Sequence, residues 1–246
     1  MSAARLLKLI PSESALLVCD MQEKFREHIK YFPQIVQVTC RLIEAAKVLD
    51  LKLIPSESAL LVCDMQEKFR EHIKYFPQIV QVTCRLIEAA KLLDLKILAT
   101  EQNPKGLGQT VPEIDLKKHG IPVFEKTKFS MCVPDLQRQL GDAPSPIRSL
   151  LLCGIEAHVC VYQTAVDFQQ QGFNVHVVVD GSSSRSMVDR IYAYKQLERA
   201  GINLITSECA ILGLVGDSAH PQFRAVQKLI RESAPDTGLI SHTSLI

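Results

Sequence analysis

Cys160 is the residue of this 246-residue chain whose type and setting best suit a nucleophile. It follows residues 150–153, a short uncharged apolar run of the kind that forms a strand buried on both faces, with Gly154 read as the break. From Ala157 the apolar positions Val161, Ala165 and Phe168 fall at helical spacing until Gly172 supplies a stop. Cys160 is therefore expected in the first turn of a helix, just above the end of a buried strand. Amide N–H groups and the helix dipole there favour a thiolate and can hold a developing oxyanion. Two further reactive side chains follow apolar runs in separate units, Asp64 directly after residues 59–63 and Lys126 one residue beyond residues 121–124. A carboxylate can take a thiol proton, a lysine can stabilise the thiolate, and the thiolate can attack a carbonyl carbon. Each also has a plainer reading: Asp64 as a cap, Lys126 as a solvated loop cation, Cys160 as a buried, inert core residue.

The elements that must position these groups begin with a duplication. Residues 7–52 match residues 51–96 throughout except for Val48 against Leu92. Solenoid repeats diverge and usually need three or more copies. Two near-identical copies followed by unrelated sequence are therefore read as a recent tandem duplication, an engineered insertion or a gene-model error, with no repeat architecture. Residues 1–50 are expected to be a duplicated strand–helix extension, not an independent domain, and residues 51–246 the domain itself. Only one sheet slot exists for the two strands, ending in Asp20 and Asp64, and chain connectivity favours the second.

In that copy, residues 59–64 read as a buried strand. Pro77 opens a helix with Val82, Leu86, Ala90 and Leu93 on one face. Strands are expected at 95–100, 121–124, 150–153, 173–180 and 202–206, the third element's Pro122 suggesting an edge position. Helices are expected at 134–140, from 157, and at 186–200, 208–213 and 221–232, with a polar loop at 101–109. Such alternation predicts right-handed crossovers, hence a three-layer α/β/α doubly wound fold with a six-stranded, mostly parallel sheet. Ligands of such sheets lie beyond the carboxyl ends of the strands, where Asp64, Lys126 and Cys160 fall.

The composition, 47% hydrophobic and 22% charged with net charge +1, is that of a globular protein with a sizeable core. Near-neutrality argues against nucleic acid or a membrane surface as partner, and no apolar run approaches the roughly 20 residues of a membrane span. A small molecule is the expected partner, with self-association left open. The eight cysteines form no Cys-x-x-Cys pair or disulfide framework. This predicts a reducing, cytoplasmic location, with mitochondrial and nuclear ones left open.

Three segments carry a resemblance: Leu-Leu-Val-Cys-Asp64-Met-Gln66, Lys126-Thr-Lys-Phe-Ser130 and Cys153-Gly-Ile-Glu-Ala-His-Val-Cys160. Together they resemble the signature segments of the isochorismatase-like cysteine hydrolases, over residues 58 to the end. Loop residues 100–108, 179–186 and 220–230 are similar to the animal members of that family. The resemblance implies an Asp64–Lys126–Cys160 triad. It also implies a cis peptide at Ile155-Glu156 that aims the backbone N–H groups of Glu156 and Cys160 at the oxyanion.

Two departures refine the reading. Family nicotinamidases bind a metal through an Asp-x-His segment after the second strand, whereas residues 101–108 here contain no histidine, so neither metal nor other cofactor is expected. True isochorismatases lack the cysteine, so Cys160 argues against isochorismate. The resulting expectation is a metal-independent cysteine hydrolase of a small amide or related carbonyl, working through a thioester. The alternative is a binding or scaffold protein of weak or absent turnover. A thiol redox sensor is a third reading, with Cys132 the only obvious resolving partner in sequence. His158, Asp180, Ser182, Ser183, Ser184 and Arg185 are candidate substrate contacts, explained as well by a polar strand-to-helix turn.

Overall fold

The computed structural model describes residues 18–19, 21–49, 52–141 and 146–239. The chain divides into two compact units, Met1–Lys52 and Leu53–Ile246. In the first, a short 3-10 turn at Glu23–Phe25 precedes helix α1 (Phe32–Leu49). Phe32 is buried, but Ile35, Val38 and Leu42 on α1 are exposed. Asp20 lies outside the described residues.

The second unit is built on a six-stranded parallel sheet: β1 (Ser58–Cys63), β2 (Lys96–Gln102), β3 (Val123–Lys126), β4 (Ser149–Ile155), β5 (Asn174–Ser183) and β6 (Asn203–Ile205). The strand order is β3-β2-β1-β4-β5-β6, with every pairing parallel. Parallel neighbours need crossovers, and the chain supplies them with helices α2 (Phe76–Leu92), α3 (Pro104–Leu107), α4 (Pro134–Gly141), α5 (Tyr162–Gln170) and α6 (Met187–Arg199), while α7 (Ser207–Val215) and α8 (Phe223–Ile230) follow β6. This is the expected three-layer, doubly wound α/β/α architecture.

Strand periodicity sorts the core into two layers. Leu60 and Val62 of β1 join Ile79, Leu86, Ile211 and Val226 from α2, α7 and α8. Ala59, Leu61 and Cys63 point the other way, into a cluster with Leu136, Ala165, Phe168 and Leu197 from α4, α5 and α6. Strands β1 and β4 are wholly buried, as apolar runs covered on both faces must be. β3 is an edge strand, consistent with Pro122 just before it.

Four local readings change. Gly154 does not break its strand, since β4 continues to Ile155 with Gly154 paired to Cys63. Its φ is +122°, and a Cβ there would stand 2.1 Å from the Cys63 carbonyl oxygen, so glycine permits the close approach of two backbones. β5 runs on to Ser183, placing Ser182 and Ser183 in a strand instead of a turn. The loop at 101–109 contains the single turn α3. The helix holding Cys160 opens with a π turn, Ala157–Val161, in which the Val161 N–H donates to the Glu156 carbonyl at 3.2 Å. Among the described residues, no helix is long and apolar enough to cross a membrane.

Candidate active site

The sheet order reverses between β1 and β4, and the crevice at such a switch point is where doubly wound folds hold ligands. Asp64 stands immediately after β1, in the left-handed region at φ +50°. The π turn with Cys160 follows β4, and Lys126 is the last residue of the edge strand β3.

The structure joins Asp64 and Lys126 directly. Lys126 Nζ donates to Asp64 Oδ2 at 2.6 Å, with side chains 0% and 1% exposed. A buried ion pair needs further partners to offset desolvation, and this one has them. Thr100 Oγ1 donates to Asp64 Oδ1 at 2.8 Å. Lys126 Nζ also reaches Gln102 Oε1 at 2.8 Å, the Phe129 carbonyl at 2.7 Å and the Lys128 carbonyl at 3.2 Å. Gln102 is in turn tied to Gln66, whose Oε1 accepts the Gln102 N–H at 2.8 Å and whose amide donates to the Gln102 and Gly108 carbonyls.

Cys160 is 7% exposed and shares its buried cluster with Cys63. The Cys63 thiol donates to Asp64 Oδ2 at 3.6 Å, and Cys160 is near enough to interact with it electrostatically. Burial above all, then the interaction with Cys160 and the charge of Asp64, push the Cys63 thiol well above the ordinary cysteine range. Burial works against the Lys126 ammonium, yet its electrostatic interactions with Cys63, Asp64 and Cys160 and its bond to Asp64 outweigh it and raise its pKa. The three residues expected from sequence are therefore in one electrostatic cluster, with Cys63 added. Thr100, Gln102 and Cys63 were not expected. The Asp-x-Gln segment pointed to Gln66 only as part of a pattern.

The peptide Ile155-Glu156 is cis, at the position where the resemblance placed one. The Glu156 side chain is turned away to Arg185, accepting its backbone N–H at 3.1 Å and facing its Nε at 3.4 Å. His158 Nδ1 lies 3.0 Å from Ser184 Oγ. Asp180 is occupied otherwise: its two oxygens accept the Ser207 N–H at 2.7 Å and the Ser207 hydroxyl at 2.6 Å, holding the start of α7. Ser183 Oγ donates to the Lys74 carbonyl, joining β5 to the turn before α2. At the end of β2, Glu101 accepts the Thr110 N–H at 2.6 Å and its hydroxyl at 2.8 Å, and Gln102 faces Lys126. Among the described residues, no three His, Cys, Asp or Glu side chains are grouped to hold a metal ion. An open groove of about 480 Å³ runs along β3, lined by Phe124, Lys126, Lys128, Val133 and Pro134 among others; of the cluster it touches Lys126 alone.

A profile of the isochorismatase domain matches residues 58–209. The human isochorismatase domain-containing protein 2 is 52% identical over 242 residues, covering 98% of this chain and 95% of its own. Isochorismatase domain-containing protein 1 of Danio rerio is 46% identical, over 98% of this chain and 69% of its own. Among solved structures, MAR1 ribonuclease from Caenorhabditis elegans superposes with a TM-score of 0.72 at 54% identity, over 76% of this chain and 96% of that one. Nicotinamidase PncA from Bacillus subtilis shares the fold at 17% identity, with a TM-score of 0.52 over 60% of this chain and 98% of that one.

Proposed function

The chain belongs to the isochorismatase domain family, and on that premise we propose that it is a cysteine hydrolase of a small amide or related carbonyl compound. The observation that carries the reading is the buried Lys126–Asp64 pair, held at 2.6 Å beside Cys160. Asp64 takes the Cys160 proton, and Sγ attacks the carbonyl carbon. The Glu156 and Cys160 backbone N–H groups receive the oxyanion. Lys126 keeps negative charge in the cluster stable as it passes from carboxylate to sulfur. Asp64 returns the proton to the leaving amine or alcohol, leaving a thioester on Cys160. Water, deprotonated by Asp64, then attacks the thioester, and the acid departs as Sγ regains its proton. No step requires a metal, and the side chains of Glu101 and Gln102 at the end of β2 are already engaged by Thr110 and Lys126.

The test is acyl trapping on the intact protein. Brief exposure to p-nitrophenyl acetate, followed by acid quench and peptide mass spectrometry, should place one acetyl group per chain on Cys160 and none in Cys160→Ala. Iodoacetamide should label Cys160 ahead of Cys132 and Cys209, and Lys126→Ala should slow that labelling. Neither result should change with a strong chelator present. An unmodified Cys160, or labelling no faster than at Cys209, would sink the assignment.

A second reading, RNA cleavage, is favoured by the ribonuclease name of the Caenorhabditis elegans neighbour. A net charge of +1 gives little general attraction to phosphates. RNA cleavage that persists in Cys160→Ala would favour it over the thioester route.

A further inference from the structure

Cys63 has no step in the hydrolysis above, yet it touches the base and shares a buried cluster with the nucleophile. The alternation of β1 sends Ala59, Leu61 and Cys63 to the face packed by α4, α5 and α6, and Cys160 of the π turn belongs to the same buried cluster. The Cys63 side chain is fully buried, its Sγ lies 3.6 Å from Asp64 Oδ2, and it shares its buried cluster with Cys160, which is near enough to interact with it electrostatically. The one proton of the Cys63 thiol has Asp64 Oδ2 as acceptor. Cys132, the partner expected from sequence, instead holds its sulfur against Gln171 Nε2 at 2.9 Å.

We propose that Cys63 is a resolving thiol for Cys160, closing a Cys63–Cys160 disulfide after a hydroperoxide has oxidised the nucleophile. The proposal rests on the reading of Cys160 as the reactive thiol. The Cys160 sulfur attacks the outer oxygen of the hydroperoxide, the O–O bond breaks, and Cys160 sulfenic acid forms with release of water or an alcohol. Cys63 then gives its proton to Asp64 and attacks the sulfenic sulfur. The S–O bond breaks, and the hydroxyl leaves as water with the proton from Asp64. Two thiols lose two electrons and the hydroperoxide gains them. A lone sulfenic acid would proceed to the irreversible sulfinic acid under more oxidant, whereas a disulfide returns to two thiols with a reductant. Burial keeps Cys63 protonated in the resting site, so it does not compete with Cys160 for the substrate.

The experiment uses the full chain. Residues 9–24 and 53–68 are identical in sequence, so tryptic peptides of Cys19 and Cys63 are indistinguishable. The map is therefore made in a Cys19→Ser background. The reduced protein is treated with hydrogen peroxide near neutral pH, quenched with N-ethylmaleimide and digested without reductant. The expected product is a cross-linked peptide joining Cys63 to Cys160, about 2 Da below the sum of the reduced peptides. Dithiothreitol should restore full iodoacetamide labelling of Cys160. In Cys63→Ala the same treatment should leave Cys160 about 32 Da heavier and unrecoverable. A Cys160–Cys132 cross-link would overturn the proposal, as would sulfinic acid forming as readily with Cys63 present, or a Cys160 left unoxidised. Should Cys63→Ala not fold, the map with Cys63 intact decides alone. The two readings fail separately: a disulfide without acyl transfer leaves this one standing, and acyl transfer without a disulfide leaves only the hydrolase.

Discussion

Lys126 carries three protons and meets four acceptors, so its ammonium is held in one place and cannot be replaced by a mobile cation. Asp64 is less enclosed. Of its two oxygens, Oδ2 faces Lys126 and Cys63, while Oδ1 depends on the Thr100 hydroxyl. Thr100 therefore sets the rotation of the carboxylate that presents Oδ2 to the thiols. Replacing it by valine keeps the volume and leaves a buried carboxylate oxygen short of a donor, which costs roughly 1–3 kcal/mol. We expect Thr100→Val to lower the urea midpoint accordingly. It should also slow acetylation of Cys160 by about tenfold, the equivalent of about 1.4 kcal/mol. Lost stability with an unchanged acylation rate would show that Thr100 supports the fold and not the carboxylate. The types and strand-end positions of Asp64, Lys126 and Cys160 were legible in the sequence. Thr100, Gln102 and Cys63 were not, because their contacts depend on strand register across pairs such as Gln102 with Lys126, and no spacing along the chain reveals that.

The strands and helices were legible for a simple reason: apolar runs bounded by polar turns leave little choice when both sheet faces are covered. The misreadings occur where backbone geometry departs from the regular pattern. Gly154 has the residue type of a strand break, but its role depends on the Cys63 carbonyl passing beneath it. Gly154→Ala places a Cβ into that carbonyl, so β1 and β4 must separate at the level of Asp64. A loss of about 3 kcal/mol or more is expected, read from urea unfolding, with slower acylation of whatever folds; a stable, fully reactive variant would show that the strands can move apart freely. β5 carries a different cost. His176 is 2% exposed, its Nε2 has no hydrogen-bond partner among the described residues, and burial pushes its pKa down to about 4 from 6.5. Its folded pKa lies below the unfolded one, so above pH 6.5 both states are neutral and nothing is lost. As pH falls from 6.5 towards 4, the unfolded state takes up the proton first, and stability should drop by about 2 kcal/mol near pH 5. His176→Leu should flatten that part of the urea midpoint–pH curve. An equally steep curve in the variant would assign the acid sensitivity to other groups.

At the scale of the whole molecule, one sequence meets two environments. Ile79, Val82 and Leu86 of α2 are buried in the core, whereas their counterparts Ile35, Val38 and Leu42 of α1 are 40%, 53% and 50% exposed. Burying such a side chain fully contributes roughly 1.5–3 kcal/mol, so intrinsic preference, identical in both copies, cannot choose between them. Connectivity can. α2 leads into β2 through three residues, while seating the first copy in the β1 slot would leave about 44 more residues between its helix and β2. That extra loop costs roughly 2 kcal/mol in closure entropy. Residues 58–63 of the second copy form β1, and we propose that Asp64 is the working carboxylate and that residues 1–50 are a dispensable extension. Asp64→Asn should then abolish acetylation of Cys160, and Asp20→Asn should leave it unchanged. Deleting residues 7–50 should preserve the acylation rate within about twofold and raise solubility, because an exposed apolar helix face is removed. The deletion variant, having a single copy, also makes the tryptic peptide of Cys63 unique. If Asp20 proves essential and Asp64 dispensable, the first copy occupies the slot in solution, and closure entropy of this size does not determine which copy is used.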